Sequence, residues 1–274
     1  MEQQGWVEYK NIRVEPKDRV IWLTLNRPHR LNALSRELIM EMIHFFQELR
    51  NDNKTRVIII RGEGRAFCAG TDLKEGRGDE YHEDLGVLWG YFESQERLGD
   101  MIHLMRQAPQ PLIAAVRGPA TGGGMAIALA CDVRVIGEST RFQVAFIRRG
   151  FSACDCGVSY FLPRLIGLSR ASEFMFTGRF IDAATADKVG LVSKLVPDDQ
   201  VDNTAMELAR EIMQNSPIGV RMTKEVLNMS ADAPSLLAAL HWENRTQILT
   251  TFTEDHKEAV KAFLEKREAI YHNR

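Results

Sequence analysis

Two glycine-bearing stretches hold the groups best suited to stabilise a developing negative charge. In the first, Pro111 to Asp132 (PLIAAVRGPATGGGMAIALACD), the apolar run Leu112 to Val116 reads as a strand buried on both faces. Gly118-Pro119 breaks the strand, and Gly122-Gly123-Gly124 opens a segment, Met125 to Cys131, that is apolar all round. A helix without a polar face belongs inside a core. Its first turn is then a buried set of backbone N–H groups at the positive end of the helix dipole, where glycine lets another molecule approach closely. An anion, or an oxygen that becomes one, suits such a place; the glycines alone are equally compatible with a plain tight turn. The second stretch is the loop GEGRAFCAGTD (Gly62 to Asp72), which follows the strand Arg56 to Arg61 (RVIIIR). Ligands of α/β sheets sit at the carboxyl ends of strands, so the two loops can converge, and two N–H groups on one carbonyl oxygen make an oxyanion hole. One donor of this kind is worth roughly 100- to 1,000-fold in rate, enough to define an enzyme class.

Other chemistries fail on spacing. Gly62-Glu63-Gly64 follows a strand, but Phe67 stands where a dinucleotide fingerprint needs its third glycine. There is no Walker A sequence and no G-x-S-x-G elbow, and His82-Glu83 lacks the second histidine of a zinc protease. Cys154 and Cys156 flank one aspartate without further ligands at zinc spacing, so no metal is expected and Cys68, Cys131, Cys154 and Cys156 read as buried reduced thiols.

The elements that must position these loops alternate. Val20 to Leu25 (VIWLTL) is a strand ended by Asn26-Arg27-Pro28, and Ser35 is an N-cap for a helix with Ile39, Met42, Ile43 and Phe46 on one face. Between Lys74 and about Ser94 the sequence is polar, mixed and without a period, which predicts an irregular flap beside a pocket, with Trp89, Tyr91 and Phe92 as bulky walls or plain core. Leu98 to Arg106 is helical, Asp132 to Ile136 and Arg141 to Val144 are short strands, and a turn-rich passage leads to Gly157. Leu165 to Thr177 and Ala183 to Val189 are helical and Leu191 to Val196 is a last strand, so the class is α/β with a mostly parallel sheet. After Pro197 the pattern is helix alone: Asn203 to Gln214, Ile218 to Met229, Pro234 to Leu249 and Glu254 to Tyr271. The expected organisation is a core domain over 1–200 carrying the site and a helical region over 201–274 whose apolar stripe covers its own core or a neighbouring subunit.

With 274 residues, 45% hydrophobic and 26% charged, the chain can bury a full core, and a net charge of −2 supplies no field for nucleic acid or anionic lipid. The start, MEQQGWVEYK, has no apolar h-region and no apolar run reaches spanning length, so a cytoplasmic protein without membrane segments is expected.

LNRPHRLNALS (Leu25 to Ser35), GRAFCAGTDLKE (Gly64 to Glu75), GPATGGGMAIALACD (Gly118 to Asp132) and AFLEKR (Ala262 to Arg267), in this order over nearly the whole chain, resemble the enoyl-CoA hydratase/isomerase, or crotonase, superfamily. The resemblance implies a spiral of β-β-α turns, a C-terminal helical region that forms homotrimers, often paired into hexamers, and a coenzyme A thioester as substrate rather than a cofactor. It assigns the oxyanion donors to the N–H groups of Thr71, where alanine is commoner, and Gly123. It places Arg30 and Leu31, with Ala69, Asp72 and Leu73, around the CoA adenine and pantetheine, and Lys266 in the final helix near CoA phosphate; a solvated helix charge is the plainer reading of that lysine.

The acids that hydratases of the family use to activate and deliver water are replaced by Ala126 and, as aligned past RFQV, Phe146. A third acid position of the family is filled by Asp155, in CDCGVSYFLP. The resemblance therefore implies an enolate-forming enzyme with one carboxylate, an enoyl-CoA isomerase, with Asp155 expected among Cys154, Cys156 and Phe146; from the residues alone Asp155 is an N-cap for the helix from Gly157. Glu80, Glu83 or Asp84 of the flap are candidates for a second acid. The alternatives are a hydratase with non-standard acids, a dehalogenase-like or hydrolytic reaction on a cyclic or aromatic acyl group, and, from another class, an inactive acyl-CoA-binding homologue; RNA binding finds no basic stripe or stacking platform.

Overall fold

A computed structural model describes residues 7–75 and 86–274. Its frame is a six-stranded sheet in the order β1 (Ile12–Lys17), β2 (Val20–Leu25), β3 (Val57–Gly62), β4 (Leu112–Val116), β6 (Val133–Gly137) and β9 (Lys194–Val196). Only β1 runs antiparallel to its neighbour. A second sheet joins β5 (Pro119–Thr121), β7 (Arg141–Gln143) and β8 (Ile181–Asp182). Successive turns of the chain place one strand in each sheet: β4 then β5, β6 then β7, and in reverse β8 then β9. The earlier turns reach the small sheet's edge with single bridges, Cys68 to Ala120 and Leu34 to Thr71.

The period of two decides what each face covers. Ile58, Ile60, Leu112, Ala114 and Val116 point into the main core with α1 (Arg36–Leu49), while Val57, Ile59, Ile113 and Ala115 face Val201, Ala205 and Ala209 of α7 (Val201–Met213). This is why the central strands are apolar without alternation. Ser35 caps α1, its Oγ accepting from Leu38 N. Inside the main core lies α3 (Gly123–Ala130), every residue of it buried.

Several boundaries differ from those expected. The helix α2 (Gly86–Gln107) already occupies the end of the stretch read as flap, from Gly86 to Ser94, and Leu88, Trp89, Tyr91 and Phe92 on its first half are exposed. Its apolar period begins only with the buried Leu98, Met101, Ile102 and Met105, so the first turns carried no helical signal. Glu80, Glu83 and Asp84 lie outside the described residues. The helix expected from Gly157 is α4 (Val158–Ile166), and the one expected over Leu165 to Thr177 is α5 (Leu168–Thr177), which starts later because Gly167 takes φ +80° between the two. After α6 (Ala183–Lys188) and α7 come α8 (Pro217–Ser230), α9 (Leu236–Thr251) and α10 (Glu254–Glu265). The last stops short of Tyr271, at Lys266 in the left-handed conformation, so Lys266 ends the helix and is not within it. The C-terminal helices leave Leu236, Leu237, Phe252 and Phe263 exposed. Of the four cysteines, Cys154 is exposed, correcting the expectation of four buried thiols; burial pushes those of Cys68 and Cys131 up to about 12, which keeps them inert. Among the described residues no helix is long and apolar enough to cross a membrane.

Candidate active site

The loop after β3 is stitched to its neighbours by main-chain bonds. Cys68 N donates to Pro119 O at 3.1 Å and Thr121 N to Cys68 O at 3.0 Å, while Thr121 Oγ1 donates to Ala69 O at 2.9 Å. On the other side Ala69 N donates to Leu31 O at 3.0 Å, Leu34 N to Gly70 O at 2.8 Å and Asp72 N to Leu34 O at 3.0 Å. Since Leu34 bonds the residues on either side of Thr71, the Thr71 N–H faces away from it. The second loop meets the first there. Gly122, at φ +53° and ψ −121°, turns the chain into α3, and a Cβ on Gly70 would stand 3.4 Å from the Gly123 nitrogen. A Cβ on Gly124 would lie 2.1 Å from Cys68 O, and one on Gly123 2.7 Å from Leu34 Cδ1. Gly124 is therefore required by the approach of α3 to the loop and Gly122 by its positive φ, while at Gly123 only the tip of the Leu34 side chain stands in the way.

Gly123 opens α3 and has no intrahelical acceptor; among the described residues neither its N–H nor that of Thr71 has a protein partner. Two main-chain donors at adjoining loops, one at the positive end of a wholly buried helix, can polarise a carbonyl and hold the negative charge that develops on its oxygen.

A buried ion pair fixes the rim. The Arg27 guanidinium donates to Ala33 O, to Asp72 Oδ2 at 3.1 Å and to Glu75. Burial pushes the Asp72 carboxyl up, but the Lys74 N–H and Arg27 outweigh it and leave it below its ordinary value. Asn32, also buried, accepts from Arg27 N and donates to Glu63 O and Ala66 O. Arg30 and Leu31 thus share one lip with Ala69, Asp72 and Leu73, the last exposed, and Asp72 serves as a pin of that lip. No described hydrogen bond or ion pair brings Lys266 to this lip.

Facing the glycine turn are apolar groups. Phe146 Cε1 would be 3.4 Å from a Cβ on Gly122, and Ala126, in the first turn of α3, is fully buried. The segment from Phe146 continues through Gly150 to Asp155, which is half-buried, with Cys156 buried and Cys154 exposed beside it. The Asp155 carboxylate does not cap α4: Gly157 is the N-cap, and Val158 N donates to the Asp155 main-chain oxygen at 2.9 Å. Its Oδ1 accepts instead from Gln95 Nε2 of α2 and from Cys156 Sγ, the latter at 3.2 Å.

The chain has relatives among known proteins. The family model described as enoyl-CoA hydratase/isomerase matches residues 15–274. The chain belongs to the enoyl-CoA hydratase/isomerase family. It is 38% identical over 257 residues to the "Probable enoyl-CoA hydratase EchA12" of Mycobacterium tuberculosis, across 93% of this chain and 90% of that one. It is 33% identical to the short-chain-enoyl-CoA hydratase of Clostridium acetobutylicum, across 95% and 97%. The solved structure of an enoyl-CoA hydratase from Bacillus anthracis superposes with a TM-score of 0.90 at 34% identity, across 97% of this chain and all of that one. The fold of this family member is accordingly the crotonase spiral, and it is an enzyme of the acyl-CoA superfamily.

Arg27, Asn32, Glu75 and Gln95 were not anticipated as site residues, and Cys156 only as a neighbour of Asp155. Arg27 and Asn32 lie inside LNRPHRLNALS and their position there was the available signal; Gln95 sits in the half of α2 that lacks a period and gave none.

Proposed function

We propose that this enzyme shifts the double bond of enoyl-CoA thioesters. The Thr71 and Gly123 N–H groups hold the thioester oxygen, and Asp155 takes the C2 proton of a 3-enoyl-CoA. The C–H electrons enter a dienolate spread from the thioester oxygen to C4, the two amides stabilise it, and Asp155 returns the proton at C4 to give the 2-enoyl isomer. The observation that carries this reading is the pairing of apolar Ala126 and Phe146 against the glycine turn with the carboxylate of Asp155 on the segment beyond. Neither apolar residue can move a proton, so the water delivery that needs two acids lacks its usual groups. Arg30, Leu31, Ala69, Asp72 and Leu73 form the CoA lip, with Lys266 in reach of phosphate only if another segment or subunit brings it there. No cofactor is needed. The exposed Leu236, Leu237, Phe252 and Phe263 support assembly into trimers, or hexamers built from them.

Hydration is the second reading, favoured by the names of the relatives, with Asp155 delivering the water. Matched 2-enoyl-CoA and 3-enoyl-CoA of several chain lengths, followed separately for hydration and migration in deuterium oxide, decide between them. Migration without hydration is the expected result; hydration of the 2-enoyl compounds assigns the second reading, and silence on all of them leaves a ring or aromatic thioester or a binding role.

A further inference from the structure

A proton carrier that serves two carbons must keep its direction between the two transfers. Among the described residues two side chains donate to the carboxylate of Asp155. Gln95, reaching from α2, donates Nε2–H to Oδ1, and the Cys156 thiol donates to the same oxygen at 3.2 Å. An amide N–H and a thiol on one oxygen, arriving from a helix and from the adjoining residue, fix both the plane and the heading of the carboxylate. The backbone gives an independent sign. Cys156 sits at φ +47°, directly before Gly157 at φ +77°. A Cβ is disfavoured in that conformation and glycine is not. The turn nonetheless carries a side chain there, buried, with its sulfur on the Asp155 carboxylate. Strain held at one residue beside a reacting group points to a task for that residue.

We propose that Gln95 and Cys156 are positioning residues that aim Asp155, an inference that rests on the reading of Asp155 as the proton carrier. Each acts through Asp155 and touches no reacting atom. Its test uses the full chain and whichever enoyl-CoA the wild type turns over, measuring kcat, KM, deuterium washed into product per turnover, and Tm. Gln95→Leu is expected to lower kcat about tenfold with KM within about twofold, and to raise deuterium wash-in because a swinging carboxylate trades its proton with solvent before returning it. Cys156→Ala follows with a smaller loss of about threefold, and Cys156→Ser, which keeps a donor, recovers most of it. Cys156→Gly is the sharpest variant: Tm is expected unchanged or raised, since the backbone is relieved, while kcat falls as in Cys156→Ala. In an Asp155→Asn background, Gln95→Leu should cost nothing more. Wild-type kcat and wash-in in both Gln95→Leu and Cys156→Gly, with Asp155→Asn inactive, would overturn the positioning role and leave the proton carrier standing. Full turnover by Asp155→Asn would remove the carrier and this inference with it. Should Gln95→Leu fail to fold, Cys156→Gly, on a different element, still decides the matter.

Discussion

The two sides of the site are built from different materials. The amide side is main chain held by main chain: Cys68 to Pro119 and Thr121, Gly70 and Asp72 to Leu34, Ala69 to Leu31, with Gly124 pressed onto Cys68 O so closely that a Cβ would sit 2.1 Å away. The carboxylate side is side chain held by side chain, a half-buried Asp155 steadied by Gln95 and Cys156. On the proposed mechanism charge stabilisation is thus a consequence of the fold itself, whereas proton transfer depends on side chains, Asp155, Gln95 and Cys156 among them, that the fold merely permits. The main-chain path of the amide side cannot be altered without disturbing the fold; the carboxylate side can be altered residue by residue.

The largest effect expected from breaking this contrast is at Gly124. Gly124→Ala drives a methyl into a backbone oxygen that has no room to retreat, and should cost about 3 kcal/mol or more together with nearly all turnover. A thermal melt within a degree or two of wild type would show that the amide side is softer than its bonds imply.

Asp72→Asn is intermediate. It leaves the Arg27 guanidinium buried with only the more exposed Glu75 as anionic partner, a loss of about 2 kcal/mol with KM raised more than kcat is lowered. The pH dependence has a definite sign. Because the folded Asp72 carboxyl lies below the ordinary 3.8, its contribution is complete above that value and disappears as pH falls from there through the folded value. Denaturant unfolding followed down the acid range should therefore show a steeper decline for wild type than for Asp72→Asn, and parallel curves would remove the ion pair as the rim's pin. The smallest effect is at Lys266, exposed at the end of α10: Lys266→Ala should move KM for the CoA substrate by no more than about threefold and leave kcat unchanged. A tenfold rise would assign it a direct contact with CoA phosphate in the assembled enzyme.

The same contrast governs what could be read from sequence. Glycines at fixed offsets from apolar strands announce the amide side, since Gly122 turns at φ +53° and Gly124 lies against Cys68 O. The strands Val20 to Leu25 and Leu112 to Val116 and the Ser35 cap were legible for a similar reason, each rule being local. The start of α2 was not, because its first turns bury almost nothing and leave Trp89, Tyr91 and Phe92 in solvent. With that start went Gln95, whose partner is 60 residues away in the chain and leaves no periodic trace. The break at Gly167 and the early end of α10 at Lys266 turn on single left-handed residues inside otherwise continuous helical patterns. The reach of Arg27 across to Asp72 and Glu75 is likewise a tertiary fact that no spacing encodes.

Main-chain donors also have no codon of their own. The Thr71 N–H, turned away from Leu34, would survive nearly every amino-acid exchange at that position except proline, which has no N–H to give. Natural drift can therefore rewrite the side chain at position 71 while the proposed activation of the thioester passes unchanged from one descendant to the next.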